Sequence, residues 1–251
     1  VRHLSRANDN TLCFSWNGEI YLVKNDGSPK KVNINVQADA KRNAETIVPV
    51  TATGGDVAVS PNGKEVAFIF RGEVFVTSVE GGITKRITNT PQQERDLAFS
   101  KDGRTLYYSA ERGESWDIFR TSISRKEEPY FYASTLLKEE PVLVSDKEEF
   151  QPVISPDGKL MAYLEERNIL KVYNLEKKTS VTIIGAGKNF SYRDGDQEYA
   201  WSPDSKWIVA RSSKGRYGAS EGVLYKADGT TPEGYDLTKS GFQDGGFQWA
   251  L

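Results

Sequence analysis

Short apolar stretches alternate with polar turns along the whole 251-residue chain, and one turn recurs. Ser60-Pro61-Asn62-Gly63, Ser100-Lys101-Asp102-Gly103, Ser155-Pro156-Asp157-Gly158 and Ser202-Pro203-Asp204-Ser205 each follow a short apolar stretch and precede another. Their Asx positions are 40, 55 and 47 residues apart. Proline presets φ, Asn or Asp bonds its own following backbone, and Gly accepts a positive φ, so each copy predicts a tight reversal between two strands. A degenerate copy lies 54 residues earlier, where residues 12–21 align with residues 66–75 and Asn8 falls against Asn62.

The stretches after the turns, 65–70, 105–110, 160–164 and 207–211, carry apolar residues at both odd and even positions, as a strand covered on both faces does. A third strand follows at 73–76, 116–119, 169–173 and 223–225, and a more polar fourth closes the unit, for example at 84–88 or 180–184. No segment has a comparable helical period. Four short antiparallel strands per ~45 residues form a sheet with two apolar faces, which must be packed between neighbours. The prediction is an all-β fold, a β-propeller of four-stranded blades. A β-sandwich or an open solenoid is the alternative, but sandwiches rarely repeat one turn in register. The expected single propeller domain, 1–251, divides into blades at 1–53, 54–94, 95–147, 148–195 and 196–242, with 243–251 opening a sixth. That count points to a six- or seven-bladed ring, since an unclosed one leaves bare edges.

Thirty-three basic and 35 acidic residues leave a net charge of −2 and a pI near 5.7, unsuited to nucleic acid or anionic membranes. No apolar run reaches the ~20 residues needed for membrane insertion. The single cysteine, Cys13, excludes an intrachain disulfide and reads as a small buried hydrophobe. The single histidine, His3, is the sole imidazole that a Ser-His-Asp or Cys-His nucleophile could use, and it reads as a terminal side chain. The only methionine is Met161, and the first unit begins part-way through its repeat, which predicts a trimmed or excised piece.

Four positions before each turn serine stand Asp56, Asp96, Gln151 and Glu198. In a blade they sit at the start of the innermost strand, ringing one mouth of the channel. They read as a polar rim that attracts peptide amino termini, and less readily as the paired carboxylates of a hydrolase, which stand roughly 5–10 Å apart. Two long connections, 185–197 with Phe190, Tyr192 and Arg193, and 212–221 with Arg216 and Tyr217, are candidate partner contacts. In the insertion 124–140, Lys126-Glu127-Glu128 reads as a solvated turn and Tyr130-Phe131-Tyr132 as the start of an outer strand. Asp194-Gly195-Asp196-Gln197-Glu198 lacks the EF-hand spacing, and Gly185-Ala186-Gly187-Lys188 lacks the Walker spacing. The expectation is no metal and no cofactor.

The turn and strand at 155–163, with the segment 74–88, are similar to the WD40-like repeats of TolB and of tricorn-type proteases. Trp116-Asp117 opens a third strand, unlike the terminal Trp-Asp of a true WD40 blade. Residues 110–120 resemble the strand-turn-strand of bacterial tricorn-like serine peptidases. That resemblance implies a noncatalytic propeller upstream of a PDZ-like module and a serine peptidase domain, filtering or channelling peptides to a catalytic domain outside this chain. No segment matches the peptidase domain, so no catalytic residue carries over. The alternatives are a TolB-like protein-interaction scaffold and a propeller hydrolase using paired carboxylates. The bacterial look of the repeats implies an exported, periplasmic protein.

Overall fold

The structure, a computed structural model, describes residues 1–24, 27–34, 55–190, 197–213, 218–242 and 244–250. It comprises two compact units, Val1–Pro49 and Val50–Leu251. The first unit holds one antiparallel sheet of β1 (Arg2–Arg6), β2 (Thr11–Trp16), β3 (Glu19–Lys24) and β4 (Lys30–Lys31). In the second unit, one sheet is β5 (Val57–Val59), β6 (Glu65–Phe70), β7 (Glu73–Ser78) and β8 (Thr84–Arg86). The next is β9 (Glu94–Phe99), β10 (Thr105–Arg112), β11 (Ser115–Ile123) and β12 (Leu137–Leu143). Then come β13 (Glu149–Ile154), β14 (Leu160–Glu165), β15 (Ile169–Asn174) and β16 (Thr179–Ile184). The last is β17 (Tyr199–Trp201), β18 (Trp207–Ser213), β19 (Ser220–Lys226) and β20 (Tyr235–Asp236). Every sheet is a meander in which strands adjacent in sequence pair antiparallel, and these five sheets are the blades. Among the described residues there is no helix, and so none long and apolar enough to cross a membrane.

The recurrent turn is built the same way four times. In the fourth blade the Ser155 hydroxyl donates to Asp157 Oδ1 at 2.6 Å and accepts the Leu160 amide at 2.9 Å. Asp157 Oδ1 also accepts the Lys159 amide at 3.0 Å, and the Gly158 amide donates to the Ser155 carbonyl at 2.8 Å. Ser60 with Asn62, Ser100 with Asp102 and Ser202 with Asp204 repeat this set. The last copy puts Ser205 at φ 60° where the others have glycine, and its hydroxyl accepts the Asp157 amide of the preceding blade's turn at 3.0 Å. A cross-blade bond thus offsets a left-handed conformation that favours glycine.

The blades of the second unit meet through three apolar layers. Alternation along each strand sends neighbouring side chains to opposite seams. Tyr108 packs with Ala67, Val74 and Val76 of the second blade, whereas Tyr107 packs with Met161 and Tyr163 of the fourth. Ala162 and Leu164 in turn face Trp201, Ile208 and Ala210 of the fifth blade. The expectation of strands buried on both faces therefore holds at β10 and β14.

The degenerate first repeat is also legible in ring geometry. Phe14 stacks on Tyr21 with centroids 5.7 Å apart, as Phe68 does on Phe75 at 5.7 Å. Its turn differs in one respect from the aligned sequence, since Asp9, not Asn8, accepts the Thr11 amide at 3.1 Å and so does the work of Asn62. This reversal is one residue shorter: the Ala7 amide donates to the Thr11 carbonyl, against Ser60 to Glu65 in the next copy. A second correction concerns Tyr130-Phe131-Tyr132. The outer strand begins at Leu137, and Phe131 is instead a fully buried turn residue.

Ser155→Ala removes a buried donor and acceptor together, and it is expected to cost about 1–2 kcal/mol. A urea titration with an unchanged slope and a lowered midpoint would record it.

Candidate functional site

The four residues at the starts of the innermost strands form one hydrogen-bonded succession across blades two to five. Asp56 Oδ2 accepts the Asp96 amide at 2.7 Å, and Asp96 Oδ2 accepts the Gln151 amide at 3.1 Å. Gln151 binds residue 197 in both senses, its Oε1 taking that amide at 2.9 Å and its Nε2 reaching the carbonyl at 3.1 Å. Glu198 Oε1 then accepts the Phe247 amide at 3.0 Å. Each side chain holds the backbone of the next repeat in place.

Local backbone geometry aims the middle two, Asp96 and Gln151. Asp96 has φ 59° and Gln151 φ 50°, and the ladder slips beside each, between Tyr107 and Ser109 and between Phe150 and Val153. A bulge turns a side chain out of the pleat, and a positive φ on a non-glycine residue persists only where other bonds compensate. Asp96 has those bonds: the Ser109 hydroxyl at 3.0 Å and Arg95 Nε at 3.4 Å join the Gln151 amide on Oδ2. Burial raises its carboxyl above the ordinary aspartate range, with Arg95 and the hydrogen bonds opposing. Tyr199 donates its hydroxyl to the Gln151 carbonyl, and burial pushes that phenol up as well.

His3 occupies the same position in the first unit. It stands four residues before Ala7, which takes the turn serine's place, and has φ 53° beside a register shift between Arg2 and Ser5. The degenerate turn concealed this. At the other end of the chain, the indole of Trp249 donates to the Ala200 carbonyl at 3.2 Å, as that of Trp201 does to Val153 at 2.9 Å. Residues 247–250 thus dock on the fifth blade as an innermost strand docks on its predecessor.

A second set of acids was not singled out from the sequence. At the ends of the second, third and fifth blades an acid at the third strand, a hydroxyl after the fourth, and an acid four to six residues later come together, whereas the fourth blade ends on an Asn189–Gln197 pair at 2.6 Å. The Thr88 hydroxyl lies 2.7 Å from Glu73 Oε2 and 2.9 Å from Glu94 Oε2, and accepts the Val74 amide at 2.9 Å. Arg86 covers Glu73 at 2.5 Å and Arg112 covers Glu94 at 2.8 Å. One hydroxyl proton cannot serve two carboxylates, and burial indeed holds Glu94 above its usual range against Arg112, Thr88 and Thr90. In the next junction Ser145 donates to Glu149 Oε1 at 2.5 Å and its amide reaches Asp117 Oδ1 at 3.3 Å. Burial, with the neighbouring Asp117 charge adding to it, pushes the Glu149 carboxyl up to about 8. In the fifth blade Thr238 donates to Glu221, and Ser240 donates to Asp244 at 2.6 Å.

Of the loop candidates, Phe190 is half-buried with its amide on the Ser213 carbonyl at 3.0 Å. Tyr192, Arg193, Arg216 and Tyr217 lie outside the described residues, as do Asp194 and Asp196. Cys13 is half-buried. Among the described residues no group of three acidic, histidine or cysteine side chains is arranged to hold a metal ion.

No family model matches the sequence, and no curated protein does. Solved structures do match. One assigned as TolB of Agrobacterium tumefaciens aligns at TM-score 0.53 and 18% identity over 91% of this chain and 77% of that one. The fold is a TolB-like, WD40-type β-propeller. TolB from Acinetobacter baumannii matches this propeller at TM-score 0.51 and 15% identity, and the alignment spans 87% of this chain but 49% of that protein. The tricorn protease aligns at TM-score 0.48 and 16% identity over 21% of its chain.

Two outcomes follow for the propeller. Asp96→Ala strips the acceptor from the Gln151 amide, the Ser109 hydroxyl and Arg95 at once, for an expected loss of about 2–4 kcal/mol; Asp96→Asn, which keeps an acceptor, should lose less in the same denaturant titration. For Glu149, a folded-state value near 8 against an ordinary 4.5 means the folded chain binds the extra proton, so its contribution declines as pH rises between those values. The slope is at most about 1.4 kcal/mol per pH unit. Glu149→Gln should flatten this part of the pH–stability profile between pH 5 and 8, measured as the wild-type minus variant difference.

Proposed function

We propose that this chain is a noncatalytic protein-interaction propeller that docks a protein or an extended peptide. The observation that carries the reading is the use made of the acids at the innermost strands. Asp56, Asp96 and Glu198 each accept a backbone amide of the following repeat, and Asp96 spends its remaining capacity on Ser109 and Arg95. A glycosidase pair keeps a substrate-sized gap between free carboxyls. Asp56 and Asp96 are instead joined through the Asp96 amide itself, which favours a scaffold over a paired-carboxylate hydrolase.

The finer reading retains the resemblance of residues 110–120 to tricorn-like peptidases and makes the propeller a peptide filter for a serine peptidase domain elsewhere in a longer chain. It is supported by the acidic character of the exposed Asp56 and the half-buried Glu198, which would draw in free amino termini. Export to the periplasm belongs to the same proposal and is supported by the TolB-like form of the repeats.

Binding and turnover separate these readings. A scaffold is expected to retain peptides from a mixed digest without cleaving them and to release no product from glycoside substrates. Under the filter reading, N-terminal acetylation of the digest weakens retention. Hydrolysis abolished by both Asp56→Asn and Asp96→Asn would overturn the noncatalytic reading.

A further inference from the structure

The three blade-to-blade seams of the second unit are finished differently at their outer, turn-side ends. Between the second and third blades the chain plugs the seam itself. The thirteen-residue connection from β11 to β12 folds back and buries Phe131 completely, edge-on to Phe99 at 6.1 Å. The plug is secured by its backbone: Glu65 Oε1 accepts the Tyr132 amide at 3.2 Å, and Lys85 donates to the Ser134 carbonyl. Between the third and fourth blades the corresponding positions are polar and mutually paired, Thr105 with Ser122 at 3.1 Å and Arg120 with Glu140 at 3.1 Å.

Between the fourth and fifth blades the same place is an open groove of about 550 Å³. Leu160 stands where Glu65 does, five residues after the turn serine, and Val181 opposite Val172 stands where Lys85 does opposite Val76. Trp207 forms the facing wall. The fifth blade's connection from β19 to β20 has eight residues and places no aromatic side chain there. Val181 is left 41% exposed although it belongs to the apolar side of its sheet. The rim is basic: Lys177, Lys206 and Lys226 border the groove, and the one acid lining it, Asp228, is engaged by the Thr230 hydroxyl at 2.6 Å. Among the described residues neither Lys177 nor Lys226 has an ion-pair partner, and Lys206 has only Asp204 at 3.9 Å. Lys226 lies over the Trp207 ring at 5.7 Å and within the field of Asp228, yet three lysines against one acid leave the lining of the groove positive in a chain of net charge −2, which suits an anion.

We propose that this seam binds an acidic peptide segment of a partner protein, which inserts one aromatic or large aliphatic side chain between Leu160, Val181 and Trp207 as Phe131 does in the seam two blades earlier. Flanking Asp or Glu side chains meet Lys177, Lys206 and Lys226. The proposal rests on the scaffold reading and deepens it by naming the place and the partner's chemistry. Apolar burial supplies the affinity and the lysines select the sequence around the anchor.

The test is a random-peptide display library panned on the 251-residue chain, followed by fluorescence-polarisation titration of the enriched peptides. Enriched peptides are expected to share one large apolar residue flanked by acids. Lys177→Glu with Lys206→Glu, and separately Val181→Asp, should each weaken them by about ten-fold or more. Lys101→Glu, on another blade, should leave them unchanged, with melting curves confirming that all variants fold. A neutral or basic consensus, no enrichment, or equal affinity for a peptide whose anchor is replaced by serine would overturn the proposal. Peptides that bind but ignore all the groove variants would also overturn it, while leaving the scaffold reading intact.

Discussion

A four-stranded sheet with apolar side chains on both faces has no stable existence alone in water, because one face at least would stay hydrated. Every other feature of the second unit follows from that constraint. Tyr107 and Tyr108 are neighbours in sequence, yet each is buried against a different blade, and Met161 and Ala162 divide in the same way. The core is therefore not one volume but three layers, each belonging equally to two repeats. Stability is then a property of seams, as in other repeat architectures.

Apolar layers set no register of their own, and polar groups at the ends of the seams supply it. At the turn side, the hydroxyl of Ser205 reaches the Asp157 amide. Where the innermost strands begin, Asp56, Asp96, Gln151 and Glu198 each hold the following repeat by its backbone. At the passages out of the second and third blades, a hydroxyl and two acids close the gap where ladder hydrogen bonding ends. Burying carboxyl groups is costly unless their hydrogen-bonding capacity is met. The two junctions meet the cost differently: Arg86 and Arg112 neutralise Glu73 and Glu94, whereas Glu149, beside Asp117, stays protonated toward higher pH.

Against this regular frame the variable part is the connection between third and fourth strands. Its length, together with the residues beneath it, decides whether a seam is filled by the chain's own Phe131, closed by polar pairs, or left as a groove with an apolar floor and a lysine rim. Blade geometry is unaffected by the difference, because the layers deeper in each seam are complete. A scaffold can thus change its binding surface by altering one loop while keeping its core.

Periodicity and turn chemistry were enough, from the residues alone, to read five four-stranded blades, the shared turn, and the repeat hidden in residues 12–21, whose Phe14–Tyr21 stacking matches Phe68–Phe75. These are local properties, dictated by alternation and by the backbone preferences of Pro, Asx and Gly. The positions of Asp56, Asp96, Gln151 and Glu198 were countable from the turn serine, but their bonding was not, because each partner lies 40 to 55 residues away in the next blade. The equivalence of His3 to these four is hidden because Ala7 replaces the serine that anchors the count, and the junction acids are hidden because their third member belongs to a neighbouring repeat. Tyr130-Phe131-Tyr132 has the letters of a strand and the fate of a plug, since a buried aromatic in a turn is chosen by the cavity waiting for it. Only packing decided which seams closed, for the space between two sheets is defined by both of them and encoded in neither segment alone.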